Sequence, residues 1–249
     1  MDESIFRHRR FLVAAPHPDD AAFACGGMLG EAVRRGRAIA IATFCTRTFY
    51  VDGQRNGDLD GPTALRRREE ESYAALLGPA CGLHYFDYLD AIVRRGTLEA
   101  VFDPARGGPE DAVLAQAVAG HLKELAGEAG TALLLPVGLG RHADHWAVRD
   151  GGLGLGPGIA EAVYLWEDLP YAIDYAPEDI PRFVAEVAAR YRLRAEAVEV
   201  AYPDMETVKQ RGMDCYRSQD GDGSVSALTL KCGRRLRPDG GAERFWHLL

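Results

Sequence analysis

Two short stretches of this 249-residue chain concentrate side chains able to do chemistry. The first is Pro16-His17-Pro18-Asp19-Asp20 and the second is Arg141-His142-Ala143-Asp144-His145. The chain has seven histidines, and three of them fall in these two stretches. In the first, an imidazole nitrogen and a carboxylate oxygen stand three residues apart, and Pro18 fixes φ between them. Two adjacent carboxylates beside an imidazole are electrostatically awkward unless a cation is present or a helix N-terminus faces one of them. A plainer reading makes Asp19 or Asp20 the cap of a helix that begins near Ala21. The second stretch sets two histidines around an aspartate, and its plainer reading is an exposed helix start. The pair is stronger than either member. A catalytic zinc takes three nitrogen or oxygen ligands and keeps one position open. Two histidines and one carboxylate meet that need, with a carboxylate to spare. No thiolate stands at ligand spacing, and Cys25 reads as core.

Each stretch follows an apolar run that can place it. Phe11–Ala15 reads as a buried strand, Ala21–Arg35 as a helix with Phe23, Met28, Leu29 and Val33 on one face, and Ala38–Phe44 as a second buried strand. Strand, helix and strand in this order give the βαβ unit of a parallel sheet. Thr131–Val137 is a further strand candidate just before the second stretch. Both stretches then lie at the carboxyl edge of the sheet, where open α/β folds bind their ligands. Helices are expected over Thr63–Leu77, Asp111–Ala126, Pro177–Leu193 and Met205–Arg217, and strands over Gly82–Leu89, Glu161–Trp166 and Ala195–Ala201. Gly151–Gly158 reads as flexible and Asp220–Ser224 as a turn. The expectation is an α/β fold, Rossmann-like and doubly wound, with a mostly parallel sheet and a less regular C-terminal part packed on it. It forms one domain over residues 1–249.

Composition narrows the class of partner. Apolar residues make up 47% of the chain and charged residues 27%, ordinary values for a folded protein. A net charge of −8 gives no general attraction for phosphate backbones, so nucleic acid is not an expected partner. No apolar run reaches the roughly 20 residues that span a bilayer, and the charged N-terminus is not a signal peptide. Five cysteines without CxxC spacing fit reduced thiols and a cytoplasmic location.

With these motifs the chain resembles the LmbE-like (PIG-L) superfamily of zinc-dependent N-acetylglucosaminyl deacetylases and related amidases. Pro16–Asp20 with Cys25-Gly26-Gly27 resembles its first signature, and His142–His145 its His-x-Asp-His signature. Arg66-x-x-Glu69, Asp90, and Lys209 leading to Tyr216-x-Ser218-Gln219 follow in the same order. Ala21 stands where the family usually has glutamate, and Pro16 where it usually has alanine. The resemblance implies an amide hydrolase acting on C–N bonds other than peptide bonds. It implies His17, Asp20 and His145 as zinc ligands, a set that iron also accepts. Asp19 is implied as general base, His142 as the oxyanion donor, and Asp144 as the residue that orients His142 and keeps it protonated. The implied substrate is a small N-acylated, glycosidic molecule, with acetate and a free amine as products.

Arg66 and Asp90 are candidate substrate contacts. Their plainer readings are an ion pair with Glu69 or Glu70, and a turn. The Tyr50–Gly61 loop could act as a lid, and Trp146 and Trp166 are expected in packing. Alternatives are an amidase for thiol conjugates or other N-acylated natural products and, more remotely, a dinucleotide-binding oxidoreductase. The glycines at Gly26-Gly27-x-x-Gly30 lack the GxGxxG spacing the last would need. The sequence leaves a homo-oligomer open.

Overall fold

The computed structural model describes residues 3–51 and 58–249. Along the chain run β1 (Arg10–Ala15), α1 (Asp20–Arg34), β2 (Ala38–Thr43), α2 (Asp60–Leu77), β3 (Cys81–Tyr85), α3 (Ala91–Arg95) and α4 (Leu98–Val101). Then come α5 (Pro109–Ala126), β4 (Thr131–Pro136), α6 (Ala143–Leu153), β5 (Ala162–Trp166), α7 (Asp179–Arg190), β6 (Ala195–Val200), α8 (Met205–Met213), α9 (Ser224–Leu236) and β7 (Glu243–Leu248). Among the described residues the strands form one sheet in the order β3-β2-β1-β4-β5-β7-β6. The first five are parallel, and β7 runs antiparallel to both β5 and β6.

β1 shows why the sheet is covered on both faces. Alternate side chains of a strand point to opposite sides. Phe11, Val13 and Ala15 enter the core that holds Phe23, Met28 and Leu29 of α1 and Tyr73 of α2. Leu12 and Ala14 enter the other core, with Leu114, Val118 and Leu122 of α5 and Val148 of α6. A strand buried on both faces reads as an unbroken apolar run, which is what FLVAA is.

After β1 the chain winds outward to β2 and β3. From β4 it winds the other way, to β5. The strand order therefore reverses between β1 and β4, and the crevice above this switch point is where an open α/β sheet receives a ligand. The two motif stretches follow these two strands.

Several elements differ from the sequence expectation, among them the helix expected over Met205–Arg217, which ends at Met213. The third strand ends at Tyr85 rather than Leu89, and only an isolated bridge from Arg47 to Leu89 continues the pairing. Gly151 and Gly152 are not flexible but sit buried in the last turn of α6. A Cβ on Gly151 would lie 2.5 Å from the Ala115 carbonyl oxygen, and one on Gly152 2.5 Å from Leu135. These glycines let α6 press against α5 and β4, so tertiary packing overrides their low helix propensity. The C-terminal third is also more regular than expected. It supplies α9 and the strand β7, which joins β6 to the parallel part of the sheet.

Gly27 and Gly30 have the same kind of role. Added Cβ atoms would come within 2.6 Å of Met205 and 2.4 Å of Val208, both on α8. The glycine-rich face of α1 is thus a helix-packing surface, which leaves the dinucleotide reading without its phosphate loop.

Candidate metal and active site

His17, Asp19 and Asp20 form the turn from β1 into α1. Asp19 takes φ 120°, unusual for a residue other than glycine and of a kind that clusters at functional sites. Its backbone carbonyl accepts from the Ala22 and Phe23 N–H groups, but its side chain makes no cap bond. Helix capping therefore does not account for this carboxylate. It meets the Arg66 guanidinium at 3.2 Å, and the same Arg66 nitrogen donates to the Pro18 carbonyl at 2.7 Å. Arg66 is only 3% exposed. It is not the surface partner of Glu69 or Glu70. It fixes the turn and the Asp19 carboxylate while lining the cleft.

The Asp20 carboxylate accepts from the His17 backbone N–H at 2.7 Å and reaches two rings. One oxygen lies 3.4 Å from His17 Nδ1, the other 3.4 Å from His145 Nε2. These separations exceed ordinary hydrogen bonds of about 2.7–3.2 Å. Each is about the ligand–ligand edge of a four-coordinate site with bonds of about 2.1 Å, though the two run from different oxygens of the carboxylate. The nitrogens facing away from Asp20 are both held by buried carboxylates. His17 Nε2 bonds Asp144 at 2.9 Å, and His145 Nδ1 bonds Asp168 at 2.6 Å. A carboxylate behind each imidazole fixes its tautomer and directs the other nitrogen at the site.

His17, His142 and His145 also bring ligand atoms within 4.8 Å of one another. His17, Asp90, His142 and Asp144 do likewise. Asp20 brings a carboxylate oxygen within 3.4 Å of one nitrogen on each of two rings and carries the negative charge that a divalent cation needs. His142 Nδ1 accepts the Asp144 backbone N–H at 3.2 Å. With that nitrogen unprotonated, His142 is neutral and carries its proton on Nε2. Burial, then the neighbouring His17, pushes the His142 pKa well below the usual value. The Asp144 carboxylate serves His17, the Ala91 N–H at 2.8 Å and Arg94 at 2.8 Å, and its charge opposes the fall of the His142 pKa.

The electrostatics favour a cation. Burial opposes charge on His17, yet Asp90, Asp144 and Asp20 together hold its pKa well above normal. Burial also opposes ionisation of Asp20, but His145 and His17 bring its pKa down to about 2. Asp19 is different: burial, reinforced by Asp20 and resisted by Arg66, raises it to about 7.

A cleft of about 330 Å³ opens over these groups. Its floor holds His17, Asp19, Asp20, His142 and His145, and its walls include Ile92, Leu98, Val101, Phe102 and Tyr171. Asp90 lines it too, capping α3 through the Ile92 N–H at 3.1 Å and lying 3.8 Å from His17. The lid expectation for Tyr50–Gly61 falls largely on residues 52–57, outside the described residues. Tyr50 itself lines the cleft. Trp146 donates to the Gly138 carbonyl and Trp166 is 1% exposed, so both serve packing. Sequence reasoning missed Asp168 and Arg94, while Gln219, part of the Tyr216-x-Ser218-Gln219 motif, lines the cleft. For Asp168 a signal existed: it is an acidic residue just past β5, at the same carboxyl edge as the motifs.

Residues 12–154 match the PIG-L family, described as GlcNAc-PI de-N-acetylase. The match covers more than half of the chain. The chain belongs to the PIG-L family. It is 32% identical over 252 residues to a 2'-N-acetylparomamine deacetylase of Streptomyces fradiae, covering 96% of this chain and 82% of that protein. A crystal structure of the deacetylase of teicoplanin biosynthesis superposes with a TM-score of 0.76 at 25% identity, covering 96% of this chain and 98% of that one. A zinc-inhibited form of teicoplanin deacetylase gives 0.73 at 22% identity over 96% and 98%, a likeness of fold. Within the PIG-L match lie both motif stretches, while Asp168 falls beyond its end.

Proposed function

We propose that this chain is a metal-dependent N-deacetylase that releases acetate and a free amine from a small molecule carrying an N-acetylated amino sugar. The observation that carries this reading is the Asp20 carboxylate 3.4 Å from both His17 and His145, with Asp19 beside it in a ligand-sized cleft. The 2'-N-acetylparomamine deacetylase among its relatives supports the substrate class.

His17, Asp20 and His145 would hold the metal, zinc or iron. Bound there, it would polarise the amide carbonyl and make water a better nucleophile near neutral pH. The residues of the chain do the rest. Asp19 takes a proton from the attacking water, whose oxygen bonds to the carbonyl carbon, and returns it to the amine nitrogen as the C–N bond breaks. His142 Nε2–H donates to the oxyanion without having to be charged. Arg66 holds Asp19 in place.

The test is acetate release from 2'-N-acetylparomamine and N-acetylglucosamine by protein loaded with zinc or iron, at and above one equivalent. Metal-dependent release supports the reading. Protein that holds one metal per chain and releases no acetate from any N-acetyl amino sugar would overturn it.

A further inference from the structure

Asp168 lies two residues beyond β5 and is 1% exposed. Its carboxylate accepts three hydrogen bonds from two places. One oxygen accepts from His145 Nδ1 at 2.6 Å. The other accepts from the Gly138 N–H at 2.7 Å and the Leu139 N–H at 3.0 Å. Those two amides open the loop that leads from β4 to His142. Gly138 has φ 85°, and a Cβ there would meet Trp146 at 2.5 Å and Arg149 at 2.7 Å, so no side chain fits at this position. Asp168 therefore touches a candidate metal ligand and the segment that carries the oxyanion donor.

We infer that Asp168 is a positioning residue that locks His145 in its Nδ1–H tautomer, leaving Nε2 free for the metal, and pins the His142 loop to the same carboxylate. The inference rests on the metal site proposed above. The chemistry of the three donors makes it specific. Backbone N–H groups can only donate, so the oxygen facing Gly138 and Leu139 must stay an acceptor. In Asp168→Asn the amide oxygen takes that place and its NH2 turns toward His145. His145 Nδ1 must then accept, which moves the ring proton to Nε2, the nitrogen that faces Asp20. A near-isosteric change thus blocks the ligand atom without emptying the site.

Glu167, the preceding residue, gives the control. It is also buried, but it binds Arg244 at 2.5 Å and Trp246 at 3.0 Å, away from the cleft. Zinc affinity is measured on the full chain by competition with a chromophoric chelator for wild type, Asp168→Asn, Asp168→Ala and Glu167→Gln. The His145 tautomer is read in the same proteins by nitrogen-15 NMR. Cobalt(II) spectra report the ligand set. The expected result is zinc binding weakened roughly 10–100-fold in both Asp168 variants. The ring proton should move to Nε2 in Asp168→Asn, and the cobalt spectrum should change with it. Glu167→Gln should lower the melting temperature and leave zinc affinity unchanged. A wild type that binds zinc, together with an Asp168→Asn variant of equal affinity and unchanged tautomer, would overturn this inference alone. A wild type that binds neither zinc nor cobalt would overturn the metal-site reading and this inference with it.

Discussion

Asp19 and Asp20 are neighbours in the chain with opposite environments. Asp20 faces two imidazoles that favour its charge. Asp19 faces burial and a like charge, with Arg66 as its counterweight. Their substitutions should separate accordingly. Asp20→Ala should abolish metal binding, read as metal per chain. Asp19→Asn should retain the metal and lower kcat by roughly 10²–10⁴. His142→Ala should also retain it and lower kcat by roughly 10²–10³, the scale of one oxyanion donor. The pH profile follows from Asp19 as a base: kcat/KM should rise with pH as Asp19 loses its proton. Its pKa of about 7 refers to the metal-free protein. A cation next to it favours the carboxylate, so the acid limb of the loaded enzyme should fall below that value. An acid limb that stays unchanged in Asp19→Asn would argue against Asp19 as the base.

The elements that place these residues depend on close approach. α5 and α6 cross where Gly151 meets the Ala115 carbonyl oxygen, and backbone there cannot rotate away as a side chain can. Gly151→Ala should therefore destabilise the protein by about 1–3 kcal/mol through overpacking. Gly120, on α5, is exposed, and a methyl group added there would have nothing within 4 Å. Gly120→Ala should stabilise by about 0.5–1 kcal/mol through helix propensity alone. Urea unfolding of the two variants checks both signs within one helix pair. The same contrast explains why a run of glycines after His145 did not announce a helix.

For the whole molecule, the cleft lies over the joint between two covered sheet faces, and each face has its own core. Removing the metal should abolish activity and leave far-UV circular dichroism unchanged. It should lower the melting temperature through the lost binding energy. Burial also leaves a charge problem beneath the site. Glu70 is 0% exposed, accepts from the Thr43 hydroxyl at 2.8 Å, and has a second oxygen without a partner. Burial is the main cause raising its pKa from 4.5 to about 8, opposed by Thr43 and aided by Asp19. The folded state thus binds a proton that the unfolded chain releases. The associated stability is fully present below about pH 4.5 and is lost as pH rises through about 8. Glu70→Gln, which cannot ionise, should flatten that decline, so its melting temperature relative to wild type should rise from about pH 5 to pH 8. No helix of the described residues is long and apolar enough to cross a membrane.

The α/β class was legible in the sequence, because FLVAA, AIAIATF and TALLLPV are short apolar runs of strand length, set apart by helical spacing between them. The sequence also determined that His17, Asp19, Asp20, His142 and His145 would meet, since two motifs that each follow such a strand must share the carboxyl edge. Tertiary structure alone decided how the protons and carboxylates are distributed. Asp144 bonds His17, His142 Nδ1 accepts a backbone N–H, Arg66 meets Asp19, and Asp168 stands behind His145. Those assignments depend on hydrogen bonds between residues far apart in the chain, and periodicity carries no record of them. The buried α6 glycines and the strand β7 were hidden for the same reason. Their local propensities are weak, and they take their structure from the neighbours that pack against them.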